Sequence, residues 1–166
     1  MSKEDSEFVK IRFRLEVRDQ WPPVDSEGLW AVPLGENRYR LDNTPWFVRG
    51  IACGDIVIAQ ADSDGILWFV ERDKWGGHMT IRIIPRSDSQ TPLTLADVIA
   101  RLNGTGIGLE CEGLQQYGIV AIDVLPVSES DGHTGLIKLK DCLSKGEADG
   151  LWYFEEGLVS EAWLQL

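Results

Sequence analysis

The sequence predicts an α+β protein in two parts, with a small antiparallel β-barrel-like domain over residues 1–77 and a ferredoxin-like β-α-β-β-α-β domain over residues 78–166. Three observations predict it. At least five short strand-like runs, punctuated by Gly, Pro, Asn and Asp, fall within about seventy residues of the first half, and closing them into a barrel or strongly curved sheet pairs short strands most economically. From residue 79 the period-two rhythm gives way to strands alternating with helical patterns, in the order of a split βαβ unit. Between the two stretches stands Lys74-Trp75-Gly76-Gly77-His78, which reads as a flexible joint.

In the first half, residues 8–17 (FVKIRFRLEV) alternate, with Val9, Ile11, Phe13, Leu15 and Val17 on one face and Lys10, Arg12, Arg14 and Glu16 on the other. This is a half-buried strand, and its basic row reads as a solvated outer face. Trp21-Pro22-Pro23 interrupts it, because proline cannot donate to a ladder. Residues 28–34 and 38–41 make a hairpin around Gly35-Glu36-Asn37, with Pro33 at an edge or bulge and Trp30, Val32 and Leu34 sharing a face. Residues 55–61 and 66–71 make a second hairpin around Asp62-Ser63-Asp64-Gly65. The stretch between the hairpins, residues 38–55, reads as the structural hub: Pro45 restricts the backbone, Trp46, Phe47 and Ile51 supply apolar packing, and Gly50 and Gly54 permit turns.

The second half reads as strands over residues 79–85, 107–114, 118–125 and 151–155, with helices over 94–103 and 135–146. Thr94 is an N-cap ahead of Leu95, Val98, Ile99 and Leu102 at helical spacing, and Gly104 is a stop signal. Leu136, Leu139, Cys142 and Leu143 give the second helix its apolar face, with Gly146 near its end. Residues 126–134, rich in serine and acids, read as an exposed, mobile loop.

Hydrophobic residues form 43% of the chain and charged residues 26%, enough to bury a core. No apolar run is long enough to span a membrane, and the charged start MSKEDSEF does not look like a secretory signal. Three cysteines at wide spacing argue against a disulfide framework and point to a cytoplasmic protein. The net charge of −11 is uneven: residues 1–85 hold 14 acidic and 11 basic side chains, the remainder 13 and 5. That balance speaks against a nucleic-acid partner and for a basic protein. Nothing in the sequence sets the oligomeric state.

Three strings, GLWAVPLGENRYRLDNTPWFVRGIACGDIV (residues 28–57), GGHMTIRII and GLWYFEEG (residues 150–157), resemble those of an uncharacterised bacterial family catalogued as a domain of unknown function. The resemblance implies a two-part bacterial protein of this size and carries no activity with it.

The residues give no complete catalytic set. His78, Cys53 and Asp55 could form a composite site, but a hydrogen-bonded His78 beside the Gly-Gly joint is the simpler reading. No cysteine has the paired neighbour that a zinc site uses, so neither a metal nor a cofactor is expected. Residues 104–108 (GTGIG) follow a helix and lack the context of a phosphate cradle. The central strands of the second half offer no stacking aromatics for RNA. Trp30, Trp46 and Trp68 read as core residues. The candidate surface for a basic partner comprises Glu110, Glu112, Asp123, Trp152, Glu155, Glu156, Glu161 and Trp163. The expected function is therefore a non-enzymatic acidic protein-binding protein, such as an immunity protein that inhibits a basic bacterial toxin. The alternatives are a regulatory or scaffold module with a ligand pocket between the halves and an enzyme with a site near His78.

Overall fold

The computed structural model describes residues 7–127 and 132–166. The chain divides into two compact units, Met1–Gly77 and His78–Leu166. The first is a closed five-stranded barrel: β1 (Val9–Arg14), β2 (Ser26–Gly35), β3 (Arg38–Leu41), β4 (Ile56–Ala61) and β5 (Leu67–Lys74). Neighbouring strands are antiparallel except at the seam, where β1 pairs with β5 in parallel through Ile11–Leu67 and Arg12–Trp68. The barrel is thus mixed, where the sequence suggested a purely antiparallel one. The reason is parity: five strands that each reverse direction leave the first and last pointing the same way, so closure must be parallel.

Ile11, Phe13, Leu29, Ala31, Leu41, Val57 and Ala59 fill the interior, and Phe13 stacks on Phe69 with ring centroids 4.8 Å apart. β1 ends at Arg14, which leaves Val17 46% exposed rather than on the buried face. Pro33 sits where the β2–β3 register shifts, a bulge that relieves the missing N–H. On β2 the buried side chains are Glu27, Leu29 and Ala31, all of one parity, so Trp30 faces outward and is 46% exposed. Trp68 also lies on the outside, with its indole N–H donating to Asp62. The reading of these tryptophans as core residues is therefore corrected: strand alternation outranks side-chain size in deciding which residue points in.

The hub between β3 and β4 is organised by two buried carboxylates. Glu27, reaching from β2, accepts from the backbone N–H groups of Trp46, Phe47 and Val48. Asp55, fully buried, accepts from Ala52 N at 3.0 Å and Gly76 N at 2.8 Å, with Arg72 Nη1 at 3.8 Å. Gly50 and Gly54 have φ of 75° and 84°, left-handed values that favour glycine. Gly76 is pinned rather than a loose joint: besides its bond to Asp55, a Cβ there would meet the Gly54 carbonyl oxygen at 2.4 Å.

The second unit is a four-stranded antiparallel sheet in the order β7-β8-β6-β9, formed by β6 (Met79–Pro85), β7 (Leu109–Leu114), β8 (Ile119–Val124) and β9 (Trp152–Leu158). Helices α1 (Leu95–Asn103) and α2 (Gly132–Ala148) share one core with it, where Val98, Leu102, Leu136, Leu139 and Leu143 meet Ile81, Ile83, Val120 and Ile122. Thr94 caps α1 in a reciprocal capping box with Asp97. A short helix α3 (Glu161–Leu164), capped by Ser160, is absent from the sequence reading. Of the loop expected at residues 126–134, the last residues belong to α2, and residues 128–131 lie outside the described ones. No helix among the described residues is long and apolar enough to cross a membrane.

Gly146 is an interior residue of α2, not its terminus. Its bare Cα lets the Trp152 ring lie against the helix, where Trp152 Nε1 donates to the Leu143 carbonyl at 3.0 Å; a Cβ would fall 2.0 Å from Trp152 Cζ2.

Two substitutions test these supports. Glu27→Ala strands three backbone donors and is expected to lower stability by about 2–4 kcal/mol, read as a urea midpoint shift with unchanged m-value. Gly146→Ala gains about 1 kcal/mol of helix propensity but overpacks Trp152; the overpacking prevails, with a net loss of roughly 1–3 kcal/mol. A stabilised Gly146→Ala protein would show that the ring has room to move.

Candidate functional site: the charged face of the second sheet

The sheet of the second unit has one face on its helices and another that is unusually polar. Alternation places Thr80 and Arg82 of β6, Asp123 of β8, Glu110 and Glu112 of β7 and Glu155 of β9 on that second face, while Ile81, Ile83 and Ile122 point to the helices. Cross-strand register sorts them into two rows. One runs Glu110, Asp123, Thr80; the other runs Glu112, Ala121, Arg82, Glu155.

Arg82 is 3% exposed and holds Glu155 through both Nε and Nη2, the first bond being 3.0 Å. Gly157 makes room for it, since a Cβ there would approach the guanidinium to about 3 Å. At the head of β6, His78 Nδ1 lies 2.7 Å from Asp123 Oδ1, a contact in which the imidazole N–H donates whenever the carboxyl is ionised. Burial pushes the Asp123 carboxyl above the usual range. The His78 contact opposes that shift, and the charge of Glu110 adds to it.

The sequence-derived catalytic candidates belong to both units of the chain. Cys53 and Asp55 belong to the first unit, where Cys53 Sγ lies 4.0 Å from the Leu41 carbonyl and Asp55 holds the hub. His78 belongs to the second and is engaged by Asp123. Burial pushes the Cys111 thiol up to about 11 and raises that of Cys142, so both are inert as nucleophiles near neutral pH. Trp152 and Trp163 are 1% and 0% exposed, in the core rather than on a binding surface. Trp163 donates from Nε1 to Glu156 at 3.0 Å, and Lys140 Nζ donates to the Trp163 carbonyl. Glu161 sits exposed in the first turn of α3. The remaining exposed acids lie at opposite edges of the sheet, Glu110 and Glu112 on β7 and Glu156 on β9, three strand spacings or roughly 14 Å apart.

Sequence reasoning passed over Arg82 and Thr80, although the alternation in Met79-Thr80-Ile81-Arg82-Ile83 carried the signal: two polar residues interleaved with apolar ones on a strand that the unit's topology makes central.

Asp123 yields a pH-dependent expectation. Its folded-state pKa lies above the unfolded value, so its contribution is present below the ordinary carboxyl pKa and is lost as pH rises through the folded value. Asp123→Asn keeps an oxygen acceptor for His78 and removes the buried charge. The variant is expected to match the wild type at acidic pH and to exceed it at neutral pH, the gap opening as pH rises, measured by urea unfolding across that range. Parallel pH curves would assign the penalty elsewhere.

Comparison with functionally curated proteins gives no match. Among solved structures, the chain is similar to a hypothetical protein from Neisseria gonorrhoeae, with a TM-score of 0.65 and 18% identity over 92% of this chain and 96% of that one, a likeness of fold. A family model matches residues 27–154, a span that includes the hub, the joint and most of the second sheet. The chain belongs to the DUF4265 family, a domain of unknown function.

Proposed function

We propose that this protein is a non-enzymatic binding module that offers an acidic strand edge to a basic protein partner, in the manner of a bacterial immunity protein that neutralises a basic toxin. One observation carries the reading. Glu110 and Glu112 stand exposed on the edge strand β7, and their partners on β8 are Asp123 and Ala121, so no cation on the adjoining strand offsets them. An edge strand also presents backbone donors and acceptors to an incoming segment. Exposed carboxylates accelerate and orient the approach of a basic partner more than they tighten the complex. With Trp152 and Trp163 buried and Glu155 held by Arg82, the binding surface contracts from the eight residues of the sequence reading to the β7 edge, with Glu156 and Glu161 lying apart from it.

The order β7-β8-β6-β9, with both helices on one face, supports reading the second unit as ferredoxin-like. Three free thiols support a reducing, cytoplasmic setting.

The test is co-expression with the product of a neighbouring reading frame that encodes a basic toxic domain. Wild-type protein is expected to restore growth, and the double variant Glu110→Lys, Glu112→Lys to fail while remaining folded. Association with the purified toxin should slow by roughly tenfold or more between low and physiological salt. Protection that survives the double charge reversal would rule out the β7 edge as the contact.

A further inference from the structure

The basic row of β1 reads from the sequence as an ordinary solvated strand face, but the barrel places it in company that the sequence did not suggest. Lys10, Arg12 and Arg14 project outward, and the strands on either side contribute Trp30 from β2 and Trp68 from β5: Lys10 pairs with Trp30, and Arg12 pairs with Gly28 on one side and Trp68 on the other. Lys10 Nζ lies 4.9 Å from the centre of the Trp30 ring and the Arg14 guanidinium 4.0 Å from that of Trp68. Arg12 donates to the Ser26 hydroxyl at 2.9 Å. Lys10 and Arg14 thus face tryptophan rings and Arg12 a neutral hydroxyl, and Arg14 is also close enough to Asp62 to feel its charge.

Gly28 is what lets this face lie flat. A Cβ there would come within 2.7 Å of Lys10 Cδ and 3.0 Å of Arg12 Nη1, so the two side chains cross the space a larger residue would fill. The outward residues of β2 opposite the row, Ser26, Gly28 and Trp30, include no acid. Asp62 adjoins this face; it accepts from Trp68 Nε1 at 2.9 Å and from the backbone of Asp64 and Ile66, and so fixes the indole.

We propose that this outward face of the barrel, Lys10, Arg12 and Arg14 between Trp30 and Trp68, binds single-stranded nucleic acid. Alternate residues on a strand recur about every 7 Å, a repeat that suits the phosphates of an extended nucleotide chain. The exposed Trp30 indole and the half-buried Trp68 indole beside that track provide stacking planes for unpaired bases. An acidic polypeptide would use the cations but has no general need for two aromatic planes, which is why the nucleic acid is favoured. The whole-chain charge of −11 spoke against such a partner. Charge beyond about 10 Å is largely screened at ordinary ionic strength, so a bound strand responds chiefly to its immediate surroundings, and the binding is short-ranged and favoured by low salt.

The experiment is a fluorescence anisotropy titration of labelled oligo-dT and oligo-U 12-mers with the full chain, from 20 to 200 mM salt. Saturable binding is expected, with log K falling against log salt at a slope of about −2 for three phosphate contacts. The triple variant Lys10→Gln, Arg12→Gln, Arg14→Gln should flatten the slope. Trp30→Ala should weaken binding roughly tenfold or more, while Trp30→Phe retains most of it. Near-UV circular dichroism and urea midpoints check folding, and the Trp30 pair decides the matter if the triple variant is unstable. Absence of binding at 20 mM salt overturns the proposal, as does affinity indifferent to these substitutions. Equal displacement of the oligonucleotide by a poly-glutamate peptide of matched charge also overturns it, by reassigning the face to acidic polypeptides.

Discussion

Two buried carboxylates, Glu27 and Asp55, hold the first unit in its shape. The connection from β3 to β4 is too irregular to satisfy its own backbone, and amides that leave water without a partner cost more than most side-chain contacts return. Glu27 collects three of them from one direction, and Asp55 ties the end of the same connection to Gly76 beyond β5. Because Glu27 lies on β2, the carboxylate reports the barrel's closure to a segment that no ladder reaches. The distinctive run of residues 38–55 is thus a structural signature: its conformation answers to Glu27 before it and to Asp55 at its own end.

What the sequence made legible was what local chemistry decides. The strand at Arg38–Leu41, the strand at Met79–Pro85 and the Thr94 cap stand where alternation and capping residues put them. What it concealed depends on pairing across distance. The direction of β1 against β5 follows from the number of strands and is written in no single stretch. The outward turn of Trp30 depends on which face of β2 meets the barrel interior, and hydrophobicity alone assigned Trp30 to the core. Gly146 stands near the helix end, as its sequence suggested, but it is also the socket for a ring that arrives from β9, a role its sequence did not disclose.

The candidate site shows the same division. Glu110 and Glu112 share a face on residue parity alone, and they do so in the fold. The aromatic members of the proposed surface were chosen for their proximity in sequence to acids, and the fold turned both inward, where Trp163 uses Glu156 as an internal hydrogen-bond acceptor. A carboxylate near a tryptophan in sequence can thus be an internal partner of the ring instead of its neighbour on an interface. Arg82 makes the complementary point. A guanidinium on a central strand persists there because Glu155 and a side-chain-free Gly157 accommodate it, a solution assembled from the strand next door.

The parallel seam of the barrel also bears on how the chain acquires its fold. Ile11 finds Leu67 only after every intervening strand has been made, so the first strand synthesised waits for the last. Until β5 emerges, β1 has one paired side and one open ladder, and the β2–β4 meander beside it is an incomplete sheet with Phe13 lacking its partner Phe69. Pairings of such long sequence separation close slowly, because loop entropy is lost before contacts compensate it. The seam can therefore close only once β5 has been made, and before that the edges of β1 and β4 are unpaired and open to other chains.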